Sequence, residues 1–120
     1  MRPSRVILYA LAVMHIERNH KVGQAEAIRR INQLLDDLVQ REFPQGITVQ
    51  NFTRNWSANV ARFSFKAEKS FFGVTIAGVV RVDDELITLD LDLPGLVTTF
   101  VSEDEIRQVI NQQLVDLFPG

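Results

Sequence analysis

Two histidines and a glutamate near the amino terminus are the best candidates for metal binding or acid–base chemistry. His15 and Glu17 lie two residues apart in a predicted strand, where alternate side chains share a face, and His20 directly precedes a predicted helix. Structural zinc sites typically take four protein ligands and catalytic sites take three, and these residues match neither ligand spacing. We therefore predict no metal site and interpret His20 as a residue that hydrogen-bonds to its own turn at the start of the helix.

Carboxylates form a second group, and five of them lie close together in the chain: Asp83, Asp84, Glu85, Asp90 and Asp92. Paired carboxylates can act as general acid and base when one of them is desolvated. Asp90 and Asp92, however, alternate with leucines, which places them on the solvent side of a strand. Basic residues on adjoining strands could pair with them there: Arg62, Lys66 and Arg81. We interpret this group as a solvated, charged face.

The remaining routes to catalysis or cofactor binding lack their sequence patterns. No serine has the G-x-S-x-G context of a hydrolase nucleophile, and no glycine-rich phosphate loop precedes either predicted helix. The absence of cysteine excludes disulfides, thiolate zinc sites and a cysteine nucleophile. With 13 basic and 15 acidic residues, the chain also lacks the net positive charge that nucleic-acid binding uses. We predict a protein that is not an enzyme, takes no cofactor and binds no nucleic acid.

Aromatic residues near strand ends are the candidates for binding. Trp56, Phe71 and Phe72 fall in such positions, and Phe71 is on the solvent side of its strand. An exposed aromatic patch could bind an apolar surface, and the alternative is that these side chains pack under the helices or the loop edges. Ala77 and Val79 also face the polar side of the central strand. Either the amino-terminal segment covers them, or a second copy of the chain does, as a homodimer.

Two amphipathic helices must position these residues. The first is predicted from Gly23 to Phe43, ended by Pro44 and Gly46, because its apolar residues recur at intervals of three and four: Ala27, Ile28, Ile31, Leu34, Leu35, Leu38 and Val39. The second follows Ser102 and Glu105, which stand at capping-box spacing. Its apolar positions are Ile106, Val109, Ile110, Leu114 and Leu117.

Between the helices the apolar period changes to two, which predicts strands. Three consecutive strands alternate in phase along residues 61–67, 72–82 and 87–93, and short connections make them an antiparallel meander. A bulge is predicted near Gln50 and Asn51, and a further short strand at Met14 to Asn19. The fold is therefore α+β, a two-layer sandwich with four or five antiparallel strands and both helices on one face. Dense Phe, Leu and Ile at the inward positions predict a filled core.

The length of 120 residues allows one domain, which we place at residues 14–120. Residues 1–13 are either an extra strand or helical turn, or a translated extension ahead of a start at Met14. The apolar run from Val6 to Met14 is much shorter than the roughly 20 residues that span a bilayer, so we predict no membrane span.

Several of these segments resemble the polyhydroxyalkanoic acid system family. The resemblance rests on Met14-His-Ile-Glu-Arg-Asn-His20, on Trp56, on Phe72-Gly73 with Gly78-Val-Val-Arg-Val82, and on Leu91-Asp-Leu-Pro-Gly-Leu96 followed by Phe100. It implies a small bacterial cytoplasmic protein of polymer storage, granule-associated or regulatory, without established catalytic residues.

The functional prediction is a non-enzymatic accessory protein of polyhydroxyalkanoate storage that acts through a protein partner or the granule surface. The alternative is a carrier that holds a small apolar or acyl ligand between the helices and the sheet. That alternative requires an internal cavity, which the predicted filled core disfavours.

Overall fold

The computed structural model describes residues 11–37, 40, 46–70, 72–94 and 102–119. These residues form five strands and two helices, in the order β1 (Leu11–Asn19), α1 (Gln24–Asp37), β2 (Thr48–Ser57), β3 (Val60–Lys69), β4 (Phe72–Val82), β5 (Leu86–Pro94) and α2 (Glu103–Leu117). None of the described helices combines the length and the apolar character needed to cross a membrane.

The strands build one antiparallel sheet in the order β1-β5-β4-β3-β2. Strands β2 to β5 are a meander, as predicted, and β1 adds to the outer edge beside β5, with Ile16 opposite Leu89. The predicted strand at Met14 to Asn19 is present and begins three residues earlier, at Leu11. The α+β fold class with an antiparallel sheet is confirmed.

One face of the sheet carries the core. Period-two alternation places the inward residues of neighbouring strands opposite each other, and both helices cover that face, so the two-layer arrangement is confirmed. The buried apolar residues are Met14, Ile16, Ala27, Ile31, Leu35, Ala61, Phe63, Ile76, Val80, Val82, Ile87, Leu91, Leu93, Leu114 and Phe118.

Two irregularities in the sheet have local causes. The β2–β3 register shifts between Gln50 and Thr53, and Asn51 has a φ of 54°, which confirms the predicted bulge. In β4, a Cβ at Gly78 would lie 2.5 Å from the Phe63 ring and 2.8 Å from Leu91. Gly78 is therefore required because these two inward side chains pack directly against its backbone and leave no room for a Cβ.

Helix α2 begins at a capping box. Ser102 caps α2: its hydroxyl accepts the Glu105 N–H at 3.1 Å, and the Glu105 carboxylate accepts the Ser102 N–H at 3.3 Å, which confirms the predicted capping box. The structure describes α1 as far as Asp37, and its predicted end at Phe43 and Pro44 lies outside the described residues.

Two arginines fasten the end of α2 to the rest of the domain. Arg18 of β1 donates to the Phe118 carbonyl at 2.7 Å, and Arg30 of α1 donates to the Leu117 carbonyl at 2.8 Å. The Arg30 guanidinium also lies 5.7 Å from the centre of the Phe118 ring. Carbonyls at the end of a helix lack partners within it, and cations are favourable there. We call Arg18, Arg30 and Phe118 the arginine clamp.

Candidate functional site

An apolar cavity of about 360 Å³ lies between the two helices and the sheet. Helix α1 contributes Ile31 and Leu35, and strands β2 to β5 contribute residues such as Val49, Ala67 and Leu89. The face of α2 that meets the cavity carries Ile106, Val109, Ile110 and Leu114. The prediction of a filled core is therefore wrong. The inward side chains were identified correctly, but they do not fill the space between the helices and the sheet in this region.

Among the described residues of the lining, the polar ones are Glu105, Gln108 and Gln113 of α2, and none is a lysine, an arginine or a histidine. The Glu105 carboxylate also accepts the Ser102 hydroxyl at 3.0 Å. A largely apolar wall with a few polar groups is typical of sites that bind small organic molecules. Sequence analysis missed the two glutamines, and the available signal was their position beside the apolar stripe of α2.

Phenylalanine rings cover the sheet beside the cavity. The rings of Phe52, Phe63 and Phe65 lie with their centroids 6.3 to 6.4 Å apart and are close to parallel. Stacked rings present their edges and faces as one continuous apolar surface. Phe63 and Phe65 belong to the cavity lining itself.

The other face of the sheet carries an exposed charged cluster. His15 Nδ1 lies 2.5 Å from Asp90 Oδ1, and Nε2 lies 2.9 Å from Glu17 Oε2. The hydrogen bond to Glu17 is the largest cause that raises the pKa of His15, followed by the bond to Asp90. His15 and Glu17 share a face as predicted. Among the described residues, Asp90 pairs with this histidine instead of Arg62, Lys66 or Arg81.

His20 lies apart from that cluster, buried at the junction of β1 and α1. Its Nε2–H donates to the Asp83 carbonyl at 2.9 Å, and its Nδ1 accepts the Val22 N–H at 3.4 Å. The predicted hydrogen bond of His20 to its own turn is thus confirmed. Within the described parts of the chain, no three histidine, aspartate or glutamate side chains are arranged to hold a metal ion.

The three candidate aromatic residues have different positions. Trp56 is partly buried against the core, and its indole N–H donates to Asn32 of α1 at 3.0 Å. Phe72 begins β4 with its backbone opposite Lys69, and Phe71 lies outside the described residues. Their role as a binding surface stays a prediction.

Ala77 and Val79 lie on the charged face, opposite Asp92 and Asp90 of β5, as their phase in β4 requires. Val13 of β1, opposite Asp92, is 63% exposed on the same face. Small apolar side chains are thus interspersed with carboxylates here. The homodimer through this face stays a prediction.

Fold and site define a class: a small two-layer α+β domain with an apolar cavity between its layers and an ionisable cluster on the opposite face of its sheet. A family model described as polyhydroxyalkanoic acid system protein matches residues 14–118, and the chain belongs to that family. The resemblance found in the sequence is thereby confirmed. No curated protein and no solved structure matches the chain.

Proposed function

We propose that this protein is a non-enzymatic accessory protein of the polyhydroxyalkanoate system that binds apolar material of that system in the cavity. The observation that carries the proposal is the 360 Å³ apolar cavity, in a chain that belongs to this family. The cavity is partly open to solvent and its described wall is largely apolar, so a ligand that covers the wall removes apolar surface from water.

The positions of the ionisable groups favour binding over catalysis. The cluster of His15, Glu17 and Asp90 is on the opposite face of the sheet from the cavity, and His20 uses both ring nitrogens in backbone hydrogen bonds. A general acid or base must reach the proton that it transfers, to within about 3 Å or through one water. None of these four groups is among the described residues that line the cavity. The carboxylate that does line it, Glu105, accepts the N–H and the hydroxyl of Ser102 in the cap of α2.

We propose granule association in the cytoplasm, which the family and the apolar wall of the cavity support. The storage polymer is a polyester, so its repeating units are apolar chains joined by neutral ester groups. The predicted action at the granule surface and the alternative of an acyl carrier therefore use the same contact, an acyl chain in the cavity. A protein partner that acts through Trp56, Phe71 and Phe72 is the competing mechanism.

The test is localisation of a fluorescent fusion in cells that accumulate the polymer and in cells that lack it. The cavity variant is Ala67→Phe, which places a large ring into the space between the layers. Ala77→Phe makes the same substitution on the opposite face of the sheet and is the matched control. We expect the wild type and Ala77→Phe to collect on granules and Ala67→Phe to remain diffuse.

Diffuse wild-type fluorescence in both kinds of cell would contradict the proposal. Granule binding by all three proteins would instead remove the cavity as the contact and favour the aromatic residues, which a Phe71→Ala variant would then test. Circular dichroism of both phenylalanine variants checks that a change in localisation does not come from unfolding.

A further inference from the structure

The outer face of the sheet, which is turned away from both helices, separates its charges by strand. Asp90 and Asp92 of β5 lie on this face, and Glu17 of β1 lies on it beside them. Arg62 and Lys66 of β3 lie on the same face at the other side of the central strand. The carboxylates are therefore displaced toward the β1 edge of the sheet, and the cations toward the β2 edge.

Ion pairs within the chain leave this separation in place. His15 can offset one of the three carboxylates, and Lys66 pairs with Glu68 at 3.1 Å. Arg62 and Asp92 form no ion pair with another described residue. An excess of negative charge thus remains on one side of the outer face, and an unpaired guanidinium on the other.

The central strand β4 keeps these charges apart with small apolar side chains. Val79 is opposite Asp90 on one side and opposite Arg62 on the other, and Ala77 is opposite Asp92 in the same way. Strands that are next but one to each other lie roughly 10 Å apart, so the carboxylates of β5 and the cations of β3 are not cross-strand neighbours. Val79 and Ala77 form an apolar strip along the middle of the face.

A face with this pattern is complementary to a second copy of itself in one orientation. If a two-fold axis runs along β4 between two facing sheets, β5 of one copy lies over β3 of the other. Asp90 then faces Arg62 of the partner subunit, and Val79 packs against Val79 of the partner subunit. An axis across the strands would instead place β5 over β5 and bring carboxylates together, which is unfavourable.

The outer face also has the area that a stable dimer needs. Its five strands, at a spacing of about 4.8 Å and with about nine residues of about 3.3 Å each, cover roughly 700 Å² before side-chain relief is counted. A standard interface buries about 800 Å² on each partner and has an apolar centre with a polar rim. Arg81 is exposed one residue from the end of β4, where its long side chain can extend into solvent at the rim.

We propose that the outer face binds a second copy of this chain in a two-fold dimer whose axis runs along β4, with Val79 at the axis and Asp90 beside the partner subunit's Arg62. The dimer has four layers, with the two sheets inside and the helices outside. The cavity lies on the helix side of each sheet and is left open, so the dimer is independent of the proposed function. Granule association through the cavity does not require it, and Ala77→Phe remains the control for the cavity.

The experiment is sedimentation velocity of the complete chain over a range of concentrations, with two charge reversals. Arg62→Glu makes the face acidic on both sides and Asp90→Lys makes it basic on both sides, so each variant should dimerise at least about tenfold more weakly than wild type. An equimolar mixture of the two should recover the dimer, because each acidic group then faces a basic one. Lys21→Glu reverses an exposed charge in the loop before α1 and should dimerise as wild type does.

Wild type that stays monomeric at every concentration would overturn the proposal, and the amino-terminal segment would then be the remaining cover for Ala77 and Val79. A dimer that Arg62→Glu leaves intact would place the interface on another surface. Two variants that remain monomeric when mixed would contradict the axis along β4.

Circular dichroism checks the fold of each variant. Val79→Lys is the second test of the same surface, because it keeps the pair of His15 and Asp90 and brings two like charges together at the axis. It should also be monomeric, and a folded Val79→Lys that dimerises as wild type does would overturn the proposal.

Discussion

At the scale of single residues, His20 shows how one buried polar side chain can organise a junction. The residue is 5% exposed, and its ring nitrogens bridge the Asp83 carbonyl at the start of the β4–β5 turn and the Val22 N–H ahead of α1. Its ring lies 5.4 Å from that of Phe118, at the end of α2. Three parts of the chain that are distant in sequence therefore meet at this imidazole.

His20→Ala should lower the free energy of unfolding by about 2 to 3 kcal/mol, because it leaves two backbone groups without their partner and opens a gap beside Phe118. Urea denaturation followed by circular dichroism measures the change. Lys21→Ala is the neighbouring control at an exposed position, and we expect it to stay within about 0.5 kcal/mol of the wild type. A similar loss in both variants would contradict the role given to His20.

His15 should make stability depend on pH. Its pKa is raised above 6.5 by Glu17 first and Asp90 second, so folding favours the protonated ring. The stabilisation is fully present below the unfolded value of 6.5 and is lost as the pH rises through the raised pKa. The urea midpoint of wild type should therefore exceed that of His15→Gln by more at about pH 5.5 than at about pH 8.5.

Nuclear magnetic resonance titration of the His15 ring checks the cause directly. We expect its pKa to lie above 6.5 in the wild type and to fall toward that value in Glu17→Gln. Because the cluster is exposed, salt should reduce the shift. A wild-type pKa at or below 6.5 would show that the two carboxylates do not hold the proton in solution.

At the scale of elements, Arg30 links the two helices. It donates to Glu26 at 2.7 Å within α1 and to the Leu117 carbonyl at 2.8 Å at the end of α2. Hydrogen bonds from Arg29 first and from Arg30 second lower the pKa of Glu26 to about 2. Arg29 bonds the same carboxylate, at 2.7 and 3.0 Å, from a more exposed position. Comparing variants of the two arginines therefore distinguishes the effect of the ion pair with Glu26 from the effect of the contact between the helices.

Arg30→Gln should lower the free energy of unfolding by about 1 to 2 kcal/mol, because a charged hydrogen bond to a helix carbonyl is lost. Arg29→Gln loses a surface ion pair alone and should lower the free energy of unfolding much less than Arg30→Gln does. Amide hydrogen exchange at Leu114 to Phe118 locates the difference, since Arg30→Gln should increase exchange there and Arg29→Gln should not. Faster exchange in both variants would assign the effect to the ion pair with Glu26.

The elements were predictable where the signal is local. Alternation from Ala61 to Ala67 predicted β3, and the pair of Ser102 and Glu105 predicted the start of α2, because a strand period and a cap depend on neighbouring residues. The separation of the layers was not predictable in this way. Apolar periodicity identifies the residues that face inward and carries no information on the distance to the opposite layer, so the sequence predicted a filled core where the cavity lies.

One inward polar residue carried a signal that sequence analysis passed over. Arg54 has the inward phase between Phe52 and Trp56, and it donates to the Asn32 carbonyl at 3.0 Å and to the Asp36 carboxylate, both of α1. A basic residue in an apolar phase of an edge strand indicates a partner on the element that covers it. Arg54 and Trp56 thus fix α1 over β2.

At the scale of the molecule, the two faces of the sheet have different roles. The outer face is polar and charged around His15 and Asp90, with Val13 and Ala77 between the charges. The inner face packs against the helices and retains a cavity that the arginine clamp and the contacts of Arg54 do not fill. The wall of this cavity is largely apolar and partly open to solvent, which is typical of a surface that binds an apolar partner or ligand.

A small increase in side-chain volume distinguishes a ligand site from a packing defect. Val109 lines the cavity from α2, and Val115 lies on the same helix with 39% of its surface exposed. Leucine has a higher helix propensity than valine, so this effect should stabilise Val109→Leu and Val115→Leu equally. Val109→Leu also places a further methylene in the cavity and should therefore add about 0.8 kcal/mol more to the free energy of unfolding.

A fluorescent fusion of the same variant should collect on granules less than wild type does, while Val115→Leu should behave as wild type. Urea denaturation and localisation in polymer-accumulating cells measure the two effects. Equal stabilisation by the two leucines would mean that no space is available at Val109 and would contradict the cavity. Greater stability combined with weaker granule association is the result expected if the space beside Val109 belongs to the binding site, because the added methylene then occupies space that the bound material would take.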